Sequence, residues 1–307
     1  MTFDLRQLNA FIAIVSTGSL GRAADLLHVT QPALSRTVRR LEEQVGAPLF
    51  ERHTTGMQTT AIGNALLPHA TLLTREASQA MEEMNALRGL SRGAVRVGAV
   101  GSIACLVLPM AISAVLEKWP KLTVTVVEGV WDRLAEALLT REIDIAFGTA
   151  GSSVEDIEEI GDCRWEDRSH VVAATDHPLR QKARLSLADT MDQKWATLPK
   201  GTVPYEQMRE VFRRNGLGVP NVVVETRSVI TLKSLVTRSG FLGWMAESIY
   251  DAERRADWVD ALDIPGAVSA RTLTAFKRSK GILPAPAAKL LDELRLLTAP
   301  GERAGAA

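Results

Sequence analysis

The stretch Thr30–Val45, TQPALSRTVRRLEEQV, combines a hydrophobic stripe with side chains that can bind nucleic acid. Its apolar residues recur at i, i+4, i+7 and i+11, the spacing of one buried face of an α-helix. The opposite face begins with the amide of Gln31 and the hydroxyl of Ser35. Every basic residue on that face is an arginine. The sequence therefore predicts an amphipathic helix with an exposed polar end. The stripe consists of Leu34, Val38, Leu41 and Val45.

Two helices are predicted before this stretch. The first has an apolar face formed by Leu5, Leu8, Ile12 and Val15. Ser19 can cap the second, which covers roughly residues 20–27, and Thr30 can cap the third. Pro32 lies in the first turn of the third helix, and Gly46 ends it. Helix, short turn and helix with an apolar inner face is the helix-turn-helix plan.

A short hairpin and a set of polar side chains complete this region. PLFERHTTGMQTT, residues 48–60, predicts two strands around Thr55-Gly56, which would form a β-wing. Glutamine bonds bidentately to adenine and arginine to guanine, and further arginines contact phosphates. A merely solvated helix face is the alternative, but the wing and the absence of lysine before Lys118 favour DNA. The predicted DNA-binding residues are Thr30, Gln31, Pro32, Ser35, Arg36, Arg39, Arg40 and Arg52.

Several short motifs follow one another along residues 11–70. They are Gly18-Ser19, Ala23-Ala24, Gln31-Pro32-Ala33-Leu34-Ser35, Leu41-Glu42, Leu49-Phe50-x-Arg52 and TTAIGNALLPHA. In this order they resemble the N-terminal winged helix-turn-helix of LysR-type transcriptional regulators. The resemblance implies a DNA-binding regulator, usually a homotetramer, whose C-terminal part binds a small metabolite. RNA polymerase is then a candidate further partner.

Residues 61–88 predict one long helix, capped by Thr60 and kinked at Pro68. A helix of this length spans about 42 Å, which is too long to bury its stripe against a small winged domain. We therefore expect a second copy of the chain to cover the stripe in a coiled-coil-like dimer. Packing of its first half against the first helix is the alternative. The stripe consists of Ile62, Leu66, Leu73, Ala77, Met81, Met84 and Leu87.

From Gly93 onward, short apolar strands alternate with helices. The first segments are, in chain order, AVRVGAV, a helix over 105–119, LTVTVVEG, a helix over 132–141 and IDIAFGT. This order predicts a βαβαβ unit with a parallel sheet. A second unit begins at SHVVAAT and continues through WATLP, NVVVET and FLGWM, with helices over 205–215 and 229–237. ARTLTAF and a closing helix over 285–297 are expected to return to the first lobe. Two lobes joined by crossing strands resemble the periplasmic-binding-protein plan.

The predicted fold class is thus α/β with an N-terminal winged helix-turn-helix, a long linker helix and a two-lobed effector domain. The predicted boundaries are 1–60 for DNA binding, 61–90 for the linker and 91–307 for the effector domain. Lobe I would comprise about 91–165 and 266–300, and lobe II about 166–265.

Ligands of open α/β sheets bind at the carboxyl ends of strands, where helix N-termini point their N–H groups. Helix N-termini beside a guanidinium suit an anion, so we expect a small carboxylate or sulfonate, with an aromatic ring as an option. Ordinary helix capping by the hydroxyls and a core role for the tryptophan are the alternatives. The predicted effector-binding residues are Gly101, Ser102, Ile103, Trp131, Thr149, Gly201, Thr202, Val203, Arg227 and Ser228.

The composition and the absence of known motifs exclude several classes of protein. The net charge is zero and 46% of the residues are hydrophobic, as in an ordinary globular protein. The two cysteines lie in no CxxC motif, and neither a signal peptide nor a membrane span is indicated. The sequence has none of the HExxH, GxSxG or GxxxxGK[ST] motifs and no metal-ligand spacing. We therefore expect a cytoplasmic protein without catalytic residues, metal or resident cofactor.

The leading hypothesis is a transcription factor that binds a dyad site in double-stranded DNA and responds to a small-molecule co-inducer. An effector-independent DNA-binding repressor is the second hypothesis, and an α/β enzyme with an appended helical domain is the third. The first two share the DNA-binding residues and differ in whether the C-terminal domain binds a ligand.

Overall fold

Three helices and a hairpin begin the chain. The computed structural model describes residues 3–53, 56–87, 93–152, 154–280 and 283–298. The chain divides into two compact units near Ser91. The first unit contains α1 (Leu5–Thr17), α2 (Leu20–Leu26), α3 (Gln31–Val45), β1 (Phe50–His53), β2 (Gly56–Thr59) and α4 (Ala61–Leu87).

Capping residues set the ends of the first helices. The Ser19 hydroxyl accepts a hydrogen bond from the backbone of Arg22 in the first turn of α2, as predicted. Gly46 ends α3 in the left-handed conformation, with φ of 77°. Thr30 occupies the N-cap position of α3, but its side chain makes no capping bond, so that prediction is wrong. The Thr30 hydroxyl is consequently available to another acceptor.

The apolar faces of α1, α2 and α3 meet in one core. Leu34, Val38 and Leu41 of the predicted stripe are buried there, and Val45 packs at its margin. Phe11 and Phe50 lie with their ring centroids 5.2 Å apart, so the hairpin strand β1 shares this core. The helix-turn-helix is therefore held together by the face of α3 that the sequence pattern predicted.

The hairpin β1–β2 is attached to the turn between α1 and α2. Its strands pair antiparallel, with Phe50 opposite Thr59. The Met57 amide donates to the Gly18 carbonyl at 2.9 Å. A Cβ at Gly56 would lie 2.5 Å from the same carbonyl oxygen, so only glycine permits this close approach.

Some apolar residues of the long helix α4 are packed in a core and others are exposed to solvent. Thr60 caps it through a bond from the Gly63 amide at 3.0 Å, and Pro68 lies inside it. A kink at Pro68 stays a prediction. Residues of its first half, Leu66, Leu67 and Ala70, pack against the core of α1–α3, which bears out the alternative for that half. Further apolar side chains remain exposed: Ile62, Leu72, Leu73, Met81 and Met84.

The second unit is built on one sheet. In the described residues the strand order is β4-β3-β5-β11-β6-β9-β7-β8, and β10 also pairs with β6. Its elements are β3 (Ala94–Ala99), α5 (Gly101–Cys105), α6 (Val107–Lys118), β4 (Thr123–Glu128), α7 (Trp131–Leu139), β5 (Ile145–Thr149), β6 (Ile157–Ala174), β7 (Trp195–Thr197), α8 (Val203–Arg214), β8 (Val222–Glu225), α9 (Val229–Arg238), β9 (Leu242–Ala246), α10 (Glu247–Arg255), β10 (Val259–Ala261), β11 (Val268–Arg278) and α11 (Ala285–Thr298).

Two lobes arise because parallel strands group at each end of this sheet. The first lobe contains β3, β4 and β5, which pair parallel, and α11 packs into its core with α6. The second lobe contains β7, β8 and β9, which also pair parallel. Between them β6 and β11 pair antiparallel along the length of β11. These two crossing strands carry the chain from one lobe to the other.

The structure corrects several element boundaries. The strand predicted to begin at Ser169 begins at Ile157, because β11 pairs with it along a stretch rich in charged residues. Local β-propensity gave no sign of that stretch. The helix predicted over 105–119 corresponds to α6, which begins at Val107, and the separate short helix α5 precedes it, with the break at Leu106 (φ of −131°). Helix α10 and strand β10 were not predicted at all.

We expect Leu41→Ala to lower the free energy of unfolding by about 3 kcal/mol, since Leu41 is fully buried among α1–α3 and truncation leaves a cavity. Urea denaturation followed by circular dichroism measures the change. Glu43→Ala, on the exposed face of the same helix, should change stability by less than about 0.5 kcal/mol. Equal losses in the two variants would contradict this assignment of the helix faces.

Candidate DNA-binding face and ligand sites

The N-terminal end of α3 presents its polar residues to solvent. Gln31, Pro32 and Arg36 are exposed, and Ser35 is half-buried. The neighbouring Leu34 is buried in the core, so the backbone of the helix end is fixed while its outer side chains are free. This is the arrangement in which a helix-turn-helix reads base edges in the major groove.

The arginines of α3 form few ion pairs with acidic side chains of the described residues. Among the described residues, none forms an ion pair or hydrogen bond with the Arg36 or Arg40 guanidinium. Arg39 pairs with Glu43 at 3.2 Å, but both side chains are well exposed, and such pairs contribute little. A DNA phosphate can therefore replace the carboxylate at small cost. Arg52 lies in β1, and its predicted contact falls on a side chain outside the described part.

The predicted effector-binding residues around α5 are less accessible to solvent than the sequence suggested. Val100, and not Ser102, occupies the N-cap position of α5. Ser102 and Ile103 are buried. A Cβ at Gly101 would lie 2.7 Å from Cγ2 of Val229 at the start of α9, so the two lobes approach each other closely here and glycine is needed.

The residues predicted in the second lobe lie at the beginnings of α8 and α9. The Thr202 hydroxyl donates to the Pro199 carbonyl at 2.7 Å and does not cap α8. The Ser228 hydroxyl caps α9 by accepting from the Thr231 amide, as in the alternative of ordinary capping. Arg227 is exposed, and no described residue pairs with its guanidinium. Gly201 and Val203 flank Thr202.

Two predicted residues of the first lobe lie at strand and helix ends. Trp131 begins α7 and packs against Phe276, with ring centroids 4.2 Å apart. It is half-buried, and its indole nitrogen has no hydrogen-bond partner. Thr149 ends β5 and lies opposite Leu273. Their role in binding an effector stays a prediction.

Sequence reasoning missed a buried ion pair on the crossing strands. Arg271 of β11 donates through Nε and Nη2 to Oδ2 of Asp167 at 2.9 and 2.7 Å. Its Nη2 also donates to the Ser102 hydroxyl oxygen at 2.9 Å. The Arg271 and Asp167 side chains are 7% and 5% exposed. No local pattern in the sequence connects the two residues, because they are 104 residues apart along the chain.

One cleft lies beside this ion pair, between α5–α6 and α10. Its volume is about 490 Å³. Ser102 is the residue of the predicted effector set that lines it. The cleft has apolar residues from α6 and α11 and polar residues from β6 and α10. Its lining includes Val107, Met110, Arg168, Ser248 and Leu297.

Cysteine and metal chemistry are not indicated. Cys105 and Cys163 are free thiols. Burial raises the pKa of Cys163 to about 11 and also raises the pKa of Cys105, so both thiols stay protonated at neutral pH. Across the described ranges, no group of three or more His, Cys, Asp or Glu side chains is placed to hold a metal ion. No helix in those ranges is both long and apolar enough to cross a membrane.

Two family models match this arrangement. The model described as a bacterial regulatory helix-turn-helix protein of the lysR family matches residues 5–64. The model described as a LysR substrate binding domain matches residues 88–297. The chain therefore belongs to the LysR family of DNA-binding transcriptional regulators, which are not enzymes.

Known relatives extend over most of the chain. The HTH-type transcriptional regulator YdcI of Escherichia coli strain K12 is 29% identical over 266 residues, covering 85% of both proteins. GbpR of Azospirillum brasilense, also an HTH-type transcriptional regulator, is 30% identical over 240 residues. Those residues are 76% of this chain and 69% of GbpR.

Solved structures share the fold. The crystal structure of CbnR, a LysR family transcriptional regulator, has a TM-score of 0.74 at 23% identity and covers 97% of this chain and 100% of CbnR. Full-length CbnR in complex with its target DNA has a TM-score of 0.72 at 21% identity, with coverages of 96% and 99%. At these identities the likeness concerns the fold.

We expect Arg36→Ala to weaken binding to a specific site by about 1–3 kcal/mol and to change non-specific binding little, because the base contact predicted for Arg36 would be lost. Arg40→Ala should instead weaken binding to all sequences and lower the slope of log K against log salt by about 1. Fluorescence anisotropy at several salt concentrations measures both. If both variants lose affinity uniformly across sequences, Arg36 does not read a base.

We expect Asp167→Asn to destabilise the second unit by about 3–5 kcal/mol, because it leaves the Arg271 charge buried without its counter-ion. Chemical denaturation of the full chain measures the loss. Asp162→Asn is the matched control on the same strand, since Asp162 pairs with Arg295 at the surface, and it should cost about 0–1 kcal/mol. A small effect at Asp167 would show that the pair is not structurally important.

Proposed function

We propose that this LysR family regulator binds a dyad site in double-stranded DNA and changes its binding when a small organic anion occupies the second unit. The observation that carries the DNA half of the proposal is the exposed end of α3, where Gln31 and Arg36 lie free above a buried apolar face. A rigid helix with free bidentate groups at its tip is what base readout requires.

The predicted contacts divide into two kinds. Gln31 and Arg36 lie at the helix tip and are proposed to contact bases, with Pro32 and Ser35 beside them. Arg39 and Arg40 lie further along α3 and are proposed to contact phosphates. The Thr30 hydroxyl makes no capping bond, which supports its donation to a phosphate. Arg52 is proposed to contact the adjacent minor groove or the backbone.

Assembly is proposed to follow from α4. The exposed apolar residues of its second half, such as Met81 and Met84, require a partner, and a second α4 supplies an equivalent stripe. A two-fold dimer reads two half-sites whose centres lie about 34 Å or a multiple of it apart. We propose a homodimer or homotetramer that works in the cytoplasm, where its DNA is, with RNA polymerase as a further partner.

The effector is proposed to bind at the carboxyl ends of the strands, between the lobes. In the second lobe the exposed and unpaired Arg227 lies beside the N-terminus of α9, and Thr202 lies at that of α8. A guanidinium near helix N-termini favours a carboxylate or sulfonate. The close approach of Gly101 to Val229 supports a contact between the lobes that a ligand could change.

The proposed response is a linkage between two sites. A ligand shifts the protein between two arrangements of its lobes only by its differential affinity for them, and typical coupling is 1–3 kcal/mol. Such a coupling changes DNA affinity by a factor of about 5 to 150. The ligand need not contact the DNA-binding residues for this effect.

The test is a gel-shift assay with DNA from upstream of the chain's own gene, in the presence of acetate, succinate, benzoate or methanesulfonate. We expect at least one of these acids to change the affinity fivefold or more, since that is the lower end of typical coupling. Arg227→Gln should remove this response and leave ligand-free DNA binding unchanged. Arg184→Gln, a matched exposed arginine elsewhere in the second lobe, should keep it.

Three results would count against parts of the proposal. If neutral sugars change the DNA affinity and none of the acids does, the proposal that the effector is an anion is wrong. DNA binding that no small molecule changes would favour an effector-independent repressor. Failure to bind DNA at all would contradict the function of the α3 face.

A further inference from the structure

Arg22 of α2 is an exposed arginine that does not belong to the predicted DNA-binding set. Ala23 and Ala24 bury one face of α2 in the core of the first unit, and Arg22 lies outside that core in solvent. Within the described part of the chain, no side chain or carbonyl group forms an ion pair or hydrogen bond with the Arg22 guanidinium. Its charge is therefore available to an anion from outside the chain.

Two acids lie in the same region, and neither pairs with Arg22. Asp25 is three residues further along α2, and no described side chain binds it. Glu51 of the hairpin lies 3.4 Å from Nε2 of His53. Both carboxylates are exposed, and water and salt weaken the attraction between exposed charges. These acids lower the local positive charge without occupying the guanidinium.

The place of α2 in the helix-turn-helix relates this charge to the DNA backbone. In this motif the second helix enters the major groove and the first helix crosses the sugar-phosphate backbone. Here α2 is the first helix and α3 is the second. A basic side chain near the beginning of α2 is thus placed to meet phosphates, and the guanidinium fork matches phosphate oxygens in bidentate hydrogen bonds.

The Arg22 side chain folds back over the turn between α1 and α2. A Cβ built on Gly18 would lie 3.9 Å from Nη2 of Arg22. The backbone amide of Arg22 donates to the Ser19 hydroxyl oxygen at 3.4 Å. The backbone of Arg22 is therefore fixed to this turn, and its charged end lies beside Gly18.

The same turn holds the hairpin β1–β2. The Gly18 carbonyl accepts the hydrogen bond from the Met57 amide at 2.9 Å. Gly56 makes its close approach to that carbonyl with φ of 132°, a conformation that glycine adopts most readily. Met57 lies directly opposite Arg52 in the hairpin. Successive contacts thus connect Arg22 with Gly18, Met57 and the backbone of Arg52, which belongs to the predicted DNA-binding set.

The spacing of these contacts is comparable with that of phosphates along DNA. Two backbone segments joined by hydrogen bonds lie about 4.8 Å apart, so the two steps from Gly18 to Arg52 cover about 10 Å. Phosphates of one strand follow each other about every 3.4 Å along the helix axis. The turn that carries the Arg22 guanidinium and the strand that carries Arg52 are therefore separated by about three phosphates.

We infer that Arg22 is a further DNA-binding residue, which contacts a phosphate within about three nucleotides of the phosphate that Arg52 contacts. The inference rests on the proposed function and, within it, on the backbone contact of Arg52. A phosphate contact carries no sequence information but fixes the orientation of the protein on the duplex. Arg22 is accordingly a positioning residue, which sets how Gln31 and Arg36 enter the groove.

The first experiment measures fluorescence anisotropy of the full chain on two duplexes at several salt concentrations. One duplex comes from upstream of the chain's own gene, and the other is a scrambled sequence of equal length. We expect Arg22→Gln to lower the slope of log K against log salt by about 0.9 on both duplexes, since one phosphate contact is lost. If the two lines meet near 1 M salt, this slope weakens binding about eightfold at 0.1 M.

Matched variants separate the charge from the structure of α2. Arg22→Lys should keep the slope, because a phosphate contact needs a positive charge and lysine also binds phosphate. Arg184→Gln makes the same change as Arg22→Gln at an exposed position of the second unit, and it should leave both slopes unchanged. Arg22 is exposed, so Arg22→Gln should fold normally, and circular dichroism checks this.

The second experiment locates the contact on the duplex. Single phosphates of the upstream duplex are replaced by neutral methylphosphonates. The phosphate that Arg22 contacts is the one whose replacement weakens binding of the unaltered chain but not of Arg22→Gln. The same comparison with Arg52→Gln locates the phosphate that Arg52 contacts. We expect the two positions to lie within about three nucleotides of each other.

Three outcomes overturn the inference and leave the proposed function intact. The first is an unchanged salt slope in Arg22→Gln. The second is a loss of affinity for the upstream duplex alone, which would make Arg22 a base contact. The third is a pair of phosphate positions that lie further apart than three nucleotides. Failure of the unaltered chain to bind either duplex would contradict the proposed function and this inference together.

Discussion

The antiparallel pairing of β6 with β11 is the constraint on which the second unit depends. β6 contributes Cys163 to the core of the first lobe and Val171 to the core of the second. The Asp167–Arg271 pair lies between these two points and is almost fully buried. A slip of one residue would turn every side chain of the pair to the opposite face and strand this charge in apolar surroundings. The lobes can therefore move by bending the strands but not by sliding them.

In the first unit a single helix serves two physical requirements. The inner face of α3 supplies Leu34, Val38 and Leu41 to the core, and the burial of these residues orients the outer face. The outer face can then carry Arg36 and Arg40 without acidic partners among the described residues. Uncompensated charge at a surface costs little in water. The same charge becomes an attractive interaction when a phosphate backbone approaches.

The sequence predicted the elements whose signal is local. Periodic apolar residues and capping glycine located α1–α3, and short, mainly apolar runs located β3 and β5. The beginning of β6 was missed, because Glu158, Glu159 and Asp162 do not favour a strand and only pairing with β11 makes it one. The same reason hid the Arg271–Asp167–Ser102 network, whose members are distant along the chain. The predicted hydroxyls were found near helix starts, but Ser102 is engaged by a residue that no local pattern connects with it.

The basic face of α3 is made only of arginine, and the chain has no lysine before Lys118. Arginine keeps its charge at any physiological pH, whereas lysine can be acetylated and so lose it. Acetylation of lysine side chains consequently has no target in the DNA-binding unit up to that residue. Amine-directed labels on lysine side chains would in turn report on the second unit and leave the arginine side chains of α3 unmodified.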